Sequence, residues 1–368
     1  MTNKLLITSA IALSLFAQSA LAAGNSVYID QPGSSASASI TQSGNNNSVG
    51  TSSDHFTQNG TSNSATITQN GDKNKVATGA GLGVQNGSNN DAKVDQSGVG
   101  SVTNLSQDGD HNKVNVKQTN GLTVNGLQAN VVQYSTASYD KATINQDGAS
   151  TFGSDTDATI ARIEQKGKHD DATINQVNSG NDATIVQNGN NDYALVNQGS
   201  DHGDHSLTSS VVQNGNYDAA VVNQTGYMDY TTVIQNGNFD VANVDQDGDS
   251  NLATVHQFGN AEVANINQSG NNNNADILQT ATADVASIAQ AGNSNNGKIS
   301  QSGFAEAALI DQSGNSNKAT ITQSGSFDFA SITQGGNSNT ATVTQTGSSN
   351  VANVNQPGTG NTTTISQN

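Results

Sequence analysis

The chain has no cysteine and no tryptophan, only two prolines, and 4% aromatic residues. Without cysteine there is no disulfide framework of the kind that stabilises small secreted domains, so backbone and side-chain hydrogen bonds have to do that work. With 32% hydrophobic residues the chain is too poor in apolar side chains for an ordinary three-dimensional core. Positive charge is also scarce, with 12 Lys and Arg against 30 Asp and Glu and a net charge of −18. That balance leaves no basic stripe and excludes nucleic acid as a partner. Long hydrophobic runs are missing after the first residues, so no later segment reads as a membrane span and no membrane insertion is expected. No G-x-S-x-G elbow, phosphate-binding glycine loop or cysteine nucleophile occurs, so the chain reads as a non-enzyme with no cofactor.

What is abundant is uncharged polarity: asparagine, glutamine, serine, threonine and glycine. Residues 1–22 have the form of a signal peptide, with Lys4 in the basic region, Leu5–Phe16 as a short apolar run and Ala20-Leu21-Ala22 as a cleavage site. This predicts a secreted chain. Residues 23–30 then read as a short segment before the repeats, which are expected over 31–368, irregular in 31–212 and regular in 213–368.

The regular part is set by glutamine. From Gln213 to Gln367 a glutamine recurs every eleven residues: Gln213, Gln224, Gln235, Gln246, Gln257, Gln268, Gln279, Gln290, Gln301, Gln312, Gln323, Gln334, Gln345, Gln356 and Gln367. A fixed short period of this kind is the mark of a stacked repeat. The half-unit reads N-x-A-x-[IV]-x-Q followed by x-G-x-x, as in Asn339, Ala341, Val343 and Gln345. Alternation of this kind predicts a strand with one buried face. One strand cannot cover that face alone, so two face-to-face strands make a 22-residue rung. The predicted fold is all-β, a two-sheet β-solenoid of cross-β type. Glycines such as Gly270, Gly292, Gly314, Gly336 and Gly358 are expected in the turns, where they allow positive φ.

Six residues before each glutamine, two series alternate. One reads Asn251, Asn273, Asn295, Asn317, Asn339 and Asn361. The other is acidic: Asp140, Asp170, Asp192, Asp218, Asp240, Glu262, Asp284, Glu306 and Asp328. On successive rungs about 4.8 Å apart, inward amides can bond to one another in continuous ladders. Stacked acids at the same spacing raise one another's pKa, so assembly is expected to be faster in mild acid or with a divalent cation, unless the acids splay into solvent at a corner. Insertions before Gln58, Gln85, Gln133, Gln146, Gln165 and Gln213 are expected to form loops between strands. Phe239, Val241, Val263, Val285, Phe327 and Phe329 are expected to point outward and give one face an apolar character. His202-Gly-Asp-His205 has too few ligands for a metal site. Gln107-Asp-Gly-Asp-His-Asn112 lacks the period and the glycine pattern of calcium-binding solenoids.

Three stretches carry a family likeness: Gln268-x-Gly270-x-x-Asn273-x-Ala275-x3-Gln279, Gln312-x-Gly314-x-x-Asn317-x-Ala319-x3-Gln323 and Gln334-x-Gly336-x-x-Asn339-x-Ala341-x3-Gln345. They resemble the curlin repeats of bacterial curli fibres. The resemblance implies a subunit of an extracellular amyloid fibre of the biofilm matrix, polymerising with copies of itself. It also implies a nucleating subunit, an outer-membrane secretion pore and periplasmic accessory proteins as partners. The chain departs from the family in its large number of repeats, in the short stretch before Gln31 and in its acidic series. No polar cap is evident beside the first or last repeat, and the expected assembly is therefore head-to-tail. The alternative is a monomeric solenoid adhesin or an ice-binding module, hinted at by Thr320/Thr322 and Thr342/Thr344 but interrupted at Lys298 and Ser300.

Overall fold

A computed structural model describes residues 5–6, 14–15, 24–77, 82–120, 126–148, 158–178, 180–199 and 206–368. The signal-peptide reading and the His202–His205 motif fall almost wholly outside them. The described chain contains strands and turns and no helix. It divides into two compact units, one reaching Asn191 and the other beginning at Asp192. This division does not coincide with the end of the insertions at 212/213.

Each unit is a coil of rungs. In the second unit the strands Tyr230–Gln235, Leu252–Gln257, Asn274–Gln279, Asn296–Gln301, Lys318–Gln323, Thr340–Gln345 and Thr362–Gln367 lie parallel in one sheet, here the asparagine sheet. Ala219–Tyr227, Val241–Asp249, Val263–Asn271, Val285–Ala291, Ala307–Ser313, Phe329–Gln334 and Val351–Gln356 form the other, the acidic sheet. Neighbours pair 22 residues apart without slippage, for example Leu252↔Asn274 through Gln257↔Gln279 and Val263↔Val285 through Gln268↔Gln290. Register is fixed because a one-residue slip would turn alanine, isoleucine and glutamine out to water.

Alternation holds as the half-unit requires. Asn274–Gln279 shows buried Ala275, Ile277 and Gln279 between half-buried neighbours. Alanine near the start of most strands and Ile or Val in the middle fill the space between the sheets, as in Ala286 with Ile288 and Ala319 with Ile321. At Thr362–Gln367 the inward Thr363, Ile365 and Gln367 are only half-buried.

The first unit has the same plan, with Ser26–Asp30, Val102–Asp108, Gln128–Gln133, Ile160–Gln165 and Asp182–Gln187 among the strands of one sheet. Two insertions do not sit where expected. The segments before Gln58 and Gln85 interrupt a strand rather than a turn: Ser48–Val49 resumes as Phe56–Gln58, and Lys75–Val76 resumes as Val84–Asn86. Both halves keep their partners, so the inward pattern recovers. Phe56 is fully buried in a place normally held by Ile or Val. Gly83 of the next rung makes room, since a Cβ there would come within 3.2 Å of the Phe56 ring.

Candidate functional site

In a solenoid the chemistry repeats from rung to rung, so the candidate site is the set of inward polar columns. The glutamines form the simplest one. In the asparagine sheet Gln257 Nε2 donates to Gln279 Oε1 at 3.1 Å, and the chain continues through Gln301, Gln323, Gln345 and Gln367. In the acidic sheet Gln246, Gln268, Gln290, Gln312, Gln334 and Gln356 do the same at 2.8–2.9 Å. Each Nε2 also crosses the core. Gln279 donates to the carbonyl of Val263 at 3.1 Å and Gln290 to that of Asn274 at 2.9 Å. One amide therefore ties a rung both to the next rung and to its own opposite strand. That second bond had no signal in the sequence, because it depends on how the two sheets face each other.

The asparagines behave differently from the expected amide-to-amide ladder. Asn251 Oδ1 accepts the backbone N–H of Asn273 at 3.0 Å, and the pattern repeats at Asn295, Asn317, Asn339 and Asn361. Their Nδ2 groups donate to turn carbonyls, Asn273 to Gly292 at 2.8 Å and Asn317 to Gly336 at 2.7 Å. The short side chain reaches its neighbour's backbone before it reaches its neighbour's amide. All but Asn361 of this column are buried.

The turns explain the spacing. Where the chain passes from the acidic to the asparagine sheet, Gly270, Gly292 and Gly314 have φ of 106°, 107° and 122°. Gly336 and Gly358 do not take positive φ, so for them the expected reason fails. Gly336 is instead required by close approach, because a Cβ would strike the carbonyl of Gly358. In both turns a left-handed residue stands just before the inward Asn or acid: Asn272, Ser294 and Ser316 in one, where it follows the left-handed glycine, and Tyr217, Phe239 and Phe327 in the other. Its N–H donates back one rung, as from Phe239 to the Asn216 carbonyl at 3.0 Å. Asn at this place could have been read as left-handed; the serines and aromatic residues could not. Phe239, Phe327 and Val285 are exposed as expected, and Tyr217 stacks on Phe239 at 5.0 Å.

The acidic column is buried, not splayed at a wet corner: Asp218, Asp240, Glu262, Asp284, Glu306 and Asp328 are at most 1% exposed. Asp240 Oδ1 accepts the Glu262 N–H at 3.0 Å, and Asp284 Oδ1 that of Glu306 at 3.0 Å. Burial pushes Glu262 up to about 8 and Asp218 and Glu306 up to about 7, with neighbouring acids adding to the rise. Burial also lifts Asp240 and Asp284 to about 6. Sequence reasoning missed Asp229, which occupies the asparagine column, is buried, and is raised by burial to about 7. It sits six residues before Gln235, so the eleven-residue count would have found it. Among the described residues no group of three or more His, Asp or Glu has the arrangement of a metal site, and no helix is long and apolar enough to cross a membrane.

A family model described as the curlin associated repeat matches residues 60–98, 229–259, 240–270, 292–325, 328–358 and 336–368. No curated protein matches the chain. The matched segments span the glutamine and asparagine columns described above, in both units. Curlin repeats thus recur in both units, and with the stacked two-sheet fold they support a curlin-repeat protein of curli-like, structural kind.

Proposed function

We propose that the chain is a subunit of an extracellular amyloid fibre that serves a biofilm matrix and adhesion, with residues 1–22 directing export. The observation that carries this reading is the sameness of the rungs. Each rung binds the next through groups that the next rung repeats in register: backbone pairs, Gln Nε2 to Gln Oε1, and Asn Oδ1 to the following N–H. A rung of another copy offers the same groups, so a contact between molecules reproduces the contact within one, and an open filament follows. Binding needs no new chemistry and no cofactor. In this reading the partners are other copies of the chain, with a nucleating subunit, an outer-membrane pore and periplasmic accessory proteins as the family implies.

The alternative of an ice-binding module is less well supported. Outward Thr320 and Thr342 align in register, but the column meets an ion pair of Lys298 with Asp276 at 2.9 Å one rung away. The test is to purify the chain without residues 1–22 and follow it by electron microscopy and thioflavin fluorescence. Unbranched fibres whose fragments shorten the lag of fresh protein are expected. Monomer that persists at high concentration, even with seeds, would overturn the proposal.

A further inference from the structure

The acidic column has an amide counterpart within the same fold. In the first unit Asn63, Asn90 and Asn112 precede the strands Ser64–Asp72, Asp91–Val99 and Lys113–Asn120, the place held further along by the acids. Asn90 Oδ1 accepts the Asn112 N–H at 3.0 Å, while its Nδ2 donates to the carbonyls of Asn86 and Gly109, both at 2.8 Å. Asn112 Oδ1 in turn accepts the Asp140 N–H at 3.1 Å. The acids keep only the first half of this pattern. Oδ1 of Asp140, Asp218, Asp240 and Asp284 accepts the N–H one rung on, at 3.0–3.1 Å, and Asp229 Oδ1 accepts that of Asn251 at 2.8 Å. Their Oδ2 atoms are buried and make no hydrogen bond of good geometry, although the Gly215 and Gly237 N–H groups bear on Asp218 and Asp240 and oppose the rise in their pKa. In Glu262 and Glu306 one oxygen accepts the N–H of Gly259 or Gly303, and Oε1 is left in the same state.

We propose that Asp140, Asp218, Asp229, Asp240, Glu262, Asp284 and Glu306 are held as neutral carboxylic acids in the folded solenoid, because each has one oxygen buried without a partner and has another buried residue of its column one rung away, so that the fold takes up protons from solvent as it forms and loosens when they are lost. A carboxylic acid has the shape of a primary amide, with one acceptor and one donor. An ionised carboxylate would leave a charged oxygen buried without a partner and repel the acids one rung away, about 4.8 Å along the axis.

The charged groups that bear on these positions are all acids: Asp192 and Asp240 on Asp218, Asp240 and Asp284 on Glu262, Asp284 and Asp328 on Glu306, and Asp249 and Asp247 on Asp229. From the opposing sheet the groups that reach the start of these strands are uncharged glutamines, Gln257 bonding the Val241 carbonyl at 3.1 Å and Gln301 the Val285 carbonyl at 3.2 Å. For Asp140 burial is the raising influence, opposed by the backbone N–H groups of Asp170 and His169, and the group titrates near 7. Folded acids at about 6 to 8 lie above the ordinary carboxylate values of 3.8 and 4.5. Between those limits the folded chain binds more protons than the unfolded chain. The stabilisation is therefore complete below about pH 4 and is lost as pH rises through 6 to 8.

The test is made on the unassembled chain, so that it stands or falls apart from fibre formation. Urea unfolding is followed by circular dichroism from pH 4 to pH 9, for the wild type and for a variant carrying Asp240→Asn, Glu262→Gln, Asp284→Asn and Glu306→Gln. The wild-type midpoint is expected to fall as pH rises, and the variant to lose about one proton of pH slope for each acid replaced. A wild-type midpoint equal at pH 5 and pH 8, or a variant keeping the full wild-type slope, overturns the proposal. Should the variant not fold, infrared spectra of wild type with isotope-labelled Asp and Glu decide. A neutral carboxyl band at pH 6 is expected, and its absence overturns the proposal.

Discussion

At the scale of the residue, a buried polar side chain is stable here only because its copy lies one rung away. Gln279 illustrates the cost of removing one member. Its loss leaves Gln257 Nε2 without its ladder acceptor, Gln301 Oε1 without its donor and the Val263 carbonyl without its cross-core bond. Gln279→Ala is expected to destabilise the second unit by about 2–4 kcal/mol, the sum of a cavity and unmet buried groups, read as a lower urea midpoint. Gln279→Glu sharpens the point. An ionised carboxylate would face Gln301 Oε1 and the Val263 carbonyl with oxygen instead of N–H, so its defect is expected to exceed that of alanine at pH 8 and to shrink at pH 4.

At the scale of the element, the turn decides whether a strand can return in register. Gly314 has φ of 122°, and a Cβ there would strike the carbonyl of Gly336. Gly358 lacks positive φ, and a Cβ there would meet only Asn361 Nδ2, at 3.0 Å. Gly314→Ala is therefore expected to cost about 1–3 kcal/mol and Gly358→Ala much less, a difference to be read from paired thermal melts. Both glycines occupy the same place in the repeat, and the sequence gives no reason to separate them. The split strand at Phe56 teaches the same lesson from the other side. Counting from Gln58 locates the extra residues, but only the pairing of Ser48–Val49 and Phe56–Gln58 with the next rung shows that they leave from the middle of a strand.

At the scale of the molecule, net charge opposes what the ladders favour. With a charge of −18, copies repel before their rungs can meet. Raising ionic strength from about 0.01 M to 0.15 M shortens the screening length from about 30 Å to 8 Å. The lag of fibre formation at pH 8 is expected to shorten over that range, as measured by thioflavin fluorescence. A lag unchanged by salt would mean that charge does not limit assembly. Acidification acts on the same repulsion and on the buried column together. Its effect is therefore expected to exceed that of salt, and to persist at high salt where surface charges are screened.

The eleven-residue glutamine beat, the alternation of Asn339, Ala341, Val343 and Gln345, and the 22-residue doubling determined the all-β two-sheet coil by themselves. A period that short leaves one way to bury one face of every strand. The tertiary structure alone decided what each polar group bonds to. Gln279 and Asn273 read alike as inward amides, yet one reaches its own kind and the far strand while the other reaches backbone. Side-chain length measured against the distance to the turn makes that difference. Burial of the acids is likewise a fact of three dimensions, because the same letters in the sequence serve equally well for a solvated corner.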